Sequence, residues 1–421
     1  MSQPPATTAL RQAAVLFILV TVLLDMLSFG IIIPVLPKLV EEFFFGNTAQ
    51  ASVLYGLMGT AWAFMQFFCS PIQGALSDRF GRRPVVLLSN LGLGLDYIVM
   101  ALAPNVAWLV AGRVISGMAS SSFSTAGAYI ADVTPHEQRA AAFGKIGMVF
   151  GLGFIFGPAL GGWLGAIDPR LPFWGAAALS LLNACYGFFV LPESLPSDRR
   201  MPFTWARANP VGSLRLLRSH RELFGLATVS FLGYLAHAAL PGVSVLYMGY
   251  RYGWGTASVG LMMAGVGVAA TIVQGGLIRP ITNRFGERRT VLIGLLCGAV
   301  GFFVYGTASE GWIFCLGIPV MAFWGLAGPA TQSLMTRRVS SAEQGQLQGA
   351  IAGINGMTGL IGPTLFTQTF AYFIQTDSSL STQYSTLGTS FELPGAPFIL
   401  ASLMLLGAAV IAWRTTKSGG S

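Results

Sequence analysis

The chain has 421 residues, of which 53% are apolar and only 10% charged, and its mean hydropathy is +0.66. A water-soluble chain carries about a quarter charged residues, so this one lacks the polar surface to stand in water and is expected to be an integral membrane protein. Its formal charge of +8 does not point to nucleic acid, because the basic residues sit in short turns between apolar runs and form no solvated basic face.

A polar N-terminus, residues 1–12, precedes an apolar run that contains Asp25 and is too long for the core of a signal peptide. It reads as a retained first helix. A span needs roughly 20 apolar residues. Twelve candidates follow in order: 13–37, 51–73, 84–103, 106–130, 143–166, 172–191, 222–249, 256–278, 290–308, 311–334, 346–373 and 396–414. Gly and Pro are abundant, at 53 and 22. In a lipid-embedded bundle, small residues let helix backbones approach closely, and neighbours re-satisfy freed carbonyls.

Charge placement orients the spans. With the N-terminus inside, the cytoplasmic segments hold 20 of the 24 Lys and Arg, the outer segments hold Lys38, Arg170 and Arg251, and Arg113 lies within a span. The split predicts a multi-pass protein of the cell's inner (plasma) membrane with both termini cytoplasmic.

Charges inside the apolar runs are costly, at least about 2.5–3.5 kcal/mol each at mid-membrane on the insertion scale. Asp25 lies near the middle of the first span, in VLLDMLSFGIIIPVLP, and reads as a functional acid. Asp96, in the third, stands open between a coupling site and a satisfied structural carboxylate. Arg113, in the fourth, is either a tuner of those acids or a fixed counter-charge. His237, alone among Ala and Leu in the seventh span, reads as a packed residue, and it joins Gln66, Gln332 and Asn355 as a candidate cavity residue.

Between the second and third spans runs Gly74 to Pro84, GALSDRFGRRP, a tight and strongly basic turn. Asp78, Arg79, Gly81 and Arg82 are expected to form a cytoplasmic gate with Asp132 at the end of the fourth span. In that gate Arg82 bonds Asp132, Asp78 caps the following turn or helix start, and the latch breaks when the two halves rock. In the fifth span Gly153, Gly157, Gly161 and Gly165 recur every four residues around Pro158, giving a flat helix face and a bend that poses the question of a hinge.

Pro192 to Arg221 joins two halves. Asn209-Pro210 is a plausible helix start, and the apolar and basic residues after it read as an amphipathic helix on the inner leaflet or as a mere connector. A degraded copy of the turn, TNRFGERR at Thr282 to Arg289, returns about 205 residues after the first, and Gly157-Pro158 returns as Gly362-Pro363. The architecture implied is all-α: two six-helix bundles, residues 1–195 and 222–421, in pseudo-two-fold repeat, with a linker at 196–221. Cys69, Cys185, Cys297 and Cys315 lie in apolar runs without ligand spacing and read as small buried side chains, so no metal site is expected. Nor is there a nucleotide loop or hydrolase signature. The chain reads as a non-enzyme, needing no cofactor and drawing on a proton gradient, with a small-molecule substrate, protons and the lipid bilayer as its partners, no nucleic acid, and a monomeric state.

The turn G-x-L-x-D-R-x-G-R-R resembles the signature of the major facilitator superfamily, and the whole chain resembles that family's drug:proton antiporter branch, most closely the tetracycline-efflux group. Asp25 to Pro37, Arg113 with Gly117, and Gly153 to Gly162 are similar to the branch's motifs in the first, fourth and fifth helices. LDY at Leu95 to Tyr97, IAD at Ile130 to Asp132 and SEGW at Ser309 to Trp312 are similar to the tetracycline group. The resemblance implies the major facilitator fold of twelve transmembrane helices, alternating access, and proton-coupled export of an amphipathic drug or metabolite. The group's ninth-helix acid and eighth-helix histidine align here with Gly298 and Ala270. The competing reading is a proton symporter or facilitator for a polar nutrient such as a sugar.

Overall fold

The computed structural model describes residues 5–120, 122–135, 138–203, 221–340, 343–374 and 392–417. Among these residues there is no strand, as a chain that must satisfy its backbone inside lipid requires. The first span is α1 (Pro5–Ile32) continued by α2 (Leu36–Phe43), and the second is α3 (Thr48–Phe80). The third is α4 (Arg82–Ala101), the fourth α5 (Val106–Ala119) with α6 (Ser122–Val133), the fifth α7 (Arg139–Ile167) and the sixth α8 (Leu171–Val190). The seventh is α9 (Arg221–His237) with α10 (Ala239–Tyr252). The eighth begins as α11 (Thr256–Ile272) and passes through a π-helical turn, Val273–Leu277, into α12 (Ile278–Thr307). The tenth is α13 (Gly311–Ala322) and α14 (Ala327–Thr336) joined by a 3₁₀ turn, the eleventh α15 (Gln344–Ile374) and the twelfth α16 (Ala396–Lys417).

Nine helices among the described residues are long and apolar enough to cross a membrane. One of them, Thr256–Thr307, has 52 residues and turns at Gly286, whose φ of 76° breaks the helical path, so it supplies both the eighth and the ninth span. The fourth span falls short because it is split into two helices, and α15 because its Gln, Asn, Thr and Gly dilute its apolar residues. Local chemistry sets the ends. The Asn105 side chain accepts the Ala107 N–H (3.1 Å) at the start of α5, and Gly253 closes α10 in the left-handed conformation at φ 66°.

The chain packs as two compact units. The first comprises Met1–Leu36, Ala61–Pro210 and Thr256–Gly267, and the second comprises Pro37–Thr60, Val211–Gly255 and Val268–Ser421. Each rests mainly on one half of the sequence and takes one helical stretch from the other.

Within the first unit the glycine face of α7 lies on α1. A Cβ on Gly157 would sit 2.7 Å from Gly30 Cα, one on Gly153 would collide with Met26, and one on Gly161 with the Ile31 carbonyl. A neighbouring face of α7 lies on the start of α11, where a Cβ on Gly260 would collide with the Pro158 carbonyl. Pro158 thus sits in a helix clamped on two sides, and α7 runs through it unbroken.

The second unit repeats the arrangement. Pro363 lies inside the uninterrupted α15, and a Cβ on Gly362 would collide with Ala238. On its other side Ser52 Oγ donates to the Thr367 carbonyl (3.0 Å), and the Thr60 and Thr364 hydroxyls meet at 2.7 Å.

One expectation lies outside the described residues and one changes. The amphipathic linker helix falls on residues 204–220, outside the described residues. Of the four cysteines, Cys185 is exposed and the others are half-buried. Cys185 shares α8 with the exposed Leu182 and Phe189, an apolar surface that suits lipid, so burial in protein is not needed.

Candidate functional site

The first unit gathers the intramembrane charges. Asp25 on α1, Asp96 on α4 and Arg113 on α5 are 6%, 1% and 9% exposed. Neither carboxylate oxygen of Asp96 accepts a hydrogen bond among the described residues, and a Cβ on Gly112 would lie 2.8 Å from its Oδ1. A larger residue at 112 would press on the acid. The Arg113 Nη2 reaches Ser116 Oγ at 3.5 Å and Met100 Sδ at 3.8 Å, both weak partners, and its Nε has none. A guanidinium this poorly satisfied and this buried is costly and remains disposed to pair with a carboxylate. Close by, Phe29 stacks on Trp62 (6.2 Å between ring centres), and a Cβ on Gly117 would lie 2.8 Å from Met65 Cβ, so α1, α3 and α5 converge around the charges. Gln66, one helical turn beyond Trp62, is half-buried.

The cytoplasmic turn is a second cluster in the same unit. Arg82 donates from Nε to Asp132 Oδ2 (3.1 Å) and from Nη1 to Ser77 Oγ (2.6 Å), and its Nη1 pairs with Asp78 Oδ1 at 2.6 Å. Asp78 is therefore an ion-pair partner of Arg82, and the expected cap is not its work. The first N–H groups of α4 go to a residue 110 positions away. Glu193 accepts from Arg82 N (2.8 Å) and Arg83 N (3.3 Å), and also from Leu195 N (3.0 Å). A carboxylate at a helix N-terminus satisfies donors that the helix leaves open and meets the positive end of its dipole.

Gly81 makes this possible. Its φ of 107° is the left-handed region, and a Cβ there would overlap Glu193 Oε2 and lie 2.7 Å from its Cδ. The rest of the linker's start follows the turn. Ser194 Oγ donates to Asp132 Oδ2 (3.2 Å), Met201 N to the Asp78 carbonyl (3.0 Å), and Tyr129 OH to the Pro192 carbonyl (2.9 Å). Arg79 lies over the Phe80 ring at 5.0 Å and joins no ion pair among the described residues. All these partners belong to one unit. The contacts of the expected latch thus form a brace within that unit.

In the second unit His237 packs against Trp324 (5.7 Å between ring centres), in keeping with a packed residue. A Cβ on Gly298 already lies 2.7 Å from Trp324 Cγ and 2.8 Å from Leu405 Cδ1, leaving no room for a carboxylate at that position without moving the indole. Gln332 donates to Gln348 Oε1 (3.1 Å), and Asn355 is exposed on α15. Three residues of this architecture escaped the reading of the sequence: Glu193, Glu287 and Arg337. An acid directly after a span, in LPESLP, was the available sign of the first. The 205-residue repeat, which sets Glu287 opposite Arg82, was the sign of the others.

The Major Facilitator Superfamily profile matches residues 18–363. The chain belongs to the Major Facilitator Superfamily. As a superfamily member it is a multi-pass membrane transporter. It is 37% identical over 368 residues to the class C tetracycline resistance protein of Escherichia coli, covering 87% of this chain and 92% of that protein. It is 36% identical over 362 residues to the class G protein of Vibrio anguillarum, covering 86% and 91%. Among solved structures, the human organic anion transporter MFSD10 aligns at TM-score 0.69 with 24% identity, covering 97% of this chain and all of that one. A bacterial homolog of the human lysosomal transporter Spinster, inward-facing and unoccupied, aligns at TM-score 0.76 with 17% identity, covering 99% and 98%. These two structures establish likeness of fold.

Proposed function

We propose that this transporter is a proton-coupled exporter of an amphipathic, tetracycline-type drug, working by alternating access, with Asp25 as proton carrier, Asp96 as its rival and Arg113 as tuner. The observation that carries the reading is the similarity to tetracycline resistance proteins along 87% of the chain. The buried acids of the first unit supply a chemistry for it. A carboxylate that exchanges a proton for a substrate must be shielded from bulk water yet near a group that can stabilise its charge. The second unit, with Gly298 and Ala270, offers no ionisable pair at the corresponding positions, which leaves coupling to the first. One charge moving through 100 mV yields about 2.3 kcal/mol and each pH unit about 1.4, so one proton sustains a gradient of a few hundred-fold for a neutral substrate.

The reading includes an inner-membrane location with both termini cytoplasmic, a monomer, no cofactor and no enzymatic step. No observation favours polar-nutrient symport. The test is uptake of tetracycline by inside-out vesicles carrying the protein, with and without an imposed pH gradient. Gradient-dependent accumulation is the expected result. Equal uptake in vesicles without the protein would overturn the assignment.

A further inference from the structure

The cytoplasmic turn between the second and third spans has a copy between the eighth and ninth. The two align with an offset of 205 residues, which sets Arg82 on Glu287, Asp132 on Arg337 and Arg83 on Arg288. The structure makes the copy physical. Arg83 Nη2 donates to the Phe188 carbonyl near the end of α8, and Arg288 Nη2 donates to the Trp413 carbonyl near the end of α16 (3.5 Å). Both stitches place a guanidinium at the negative end of the last helix of a repeat, where it is favoured. The central pair is also present in both. Arg82 meets Asp132 at 3.1 Å, and Arg337 Nη2 meets Glu287 Oε1 at 2.7 Å.

The polarity is reversed between the copies. In the first unit the turn carries the guanidinium and the helix end the carboxylate, and in the second the turn carries the carboxylate and the helix end the guanidinium. In both, the turn residue is the buried partner, its side chain 11% exposed at Arg82 and 14% at Glu287. Each buried charge also has a serine, Ser77 Oγ accepting from Arg82 Nη1 and Ser333 Oγ donating to Glu287 Oε1, both at 2.6 Å. A buried charge is held only if a partner offsets its loss of water. The second unit has less in reserve than the first, because Asn283 stands where Asp78 gives Arg82 a second carboxylate.

We propose that Glu287 and Arg337 are positioning residues for transport: a charge-reversed counterpart of the Arg82–Asp132 brace that fixes the turn between the eighth and ninth spans to the end of the tenth. What the brace requires is one buried charge on the turn and its opposite on the helix end, whichever sign each carries. The proposal rests on the transporter reading and does not depend on which substrate is carried.

The test is a reciprocal exchange. Glu287→Arg and Arg337→Glu are made singly and together, and tetracycline uptake into inside-out vesicles is measured per amount of protein in the membrane. Each single variant should lower the maximal rate about ten-fold with KM unchanged, and the exchanged double should return to within about three-fold of the unaltered protein. Single variants that transport normally would overturn the proposal. So would a double as impaired as the singles while present at normal amounts. If the unaltered protein moves no tetracycline, the substrate assignment fails, and the brace is read instead from thermal midpoints in detergent. Non-additive loss with recovery in the double then supports it, and additive loss overturns it. Singles that fail to accumulate are decided in the same way by whether the double accumulates.

Discussion

Truncating Glu193 to alanine removes the acceptor for three backbone donors at once: Arg82 N, Arg83 N and Leu195 N. A hydrogen bond to a charged group is worth about 1.5–3 kcal/mol net. The contact at 3.3 Å belongs at the weak end, and water reaches the half-buried Glu193, so about 2–4 kcal/mol is the reasoned cost of Glu193→Ala. Glu193→Gln keeps an acceptor and loses the charge opposite the helix dipole, for about 1 kcal/mol. Gly81 supplies an independent check on the same contact. Gly81→Ala forces a side chain into φ 107° and into the Glu193 carboxylate. The backbone strain, about 1–3 kcal/mol for a side chain in this nearly Gly-only conformation, is the same with or without Glu193. The overlap disappears once residue 193 is alanine, because Oε2 and Cδ are gone. The double variant should therefore lose about 1 kcal/mol less than the sum of the singles. The assay is the thermal unfolding midpoint in detergent, where about 1–2 °C per kcal/mol is the scale for a chain this long. Strict additivity, or a Glu193→Ala midpoint equal to that of the unaltered protein, would refute the clasp.

Three further outcomes follow from the same geometry. Substrate-induced proton release from purified protein should vanish in Asp25→Asn and only weaken in Asp96→Asn. The reverse ranking moves the proton site to α4, and unchanged release in both removes both acids. Gly157→Ala places a Cβ 2.7 Å from the Gly30 backbone and should cut vesicle uptake about ten-fold, the mark of an overpacked helix contact. Gly147→Ala, on the same helix with open space around it, should transport normally, and equal effects at the two sites would show that helix propensity rather than packing decides. A tag after residue 417 should be unreachable by an impermeant reagent from outside intact cells, and labelling there would reverse the assigned topology.

The spans were legible from the sequence because the cost of exposing backbone to lipid acts along the chain. Every stretch that crosses must be about 20 residues long and mostly apolar, wherever its neighbours lie. The same locality made the basic turn at Asp78 to Arg83 and the glycine spacing around Pro158 readable, since each is a pattern within a few residues. Partner choice is not local. Asp78 looked like the cap of α4, but the cap came from Glu193, because the chain returns to the turn after crossing the membrane four more times. The glycine face of α7 announced close packing without naming α1 as its partner, and the repeat at TNRFGERR announced a second turn without revealing that its ion pair runs with the opposite sign. Hydropathy and charge order the segments of this transporter along the membrane normal. Which buried charge finds which partner is decided by the paths of helices far apart in sequence, and that only the tertiary structure settles.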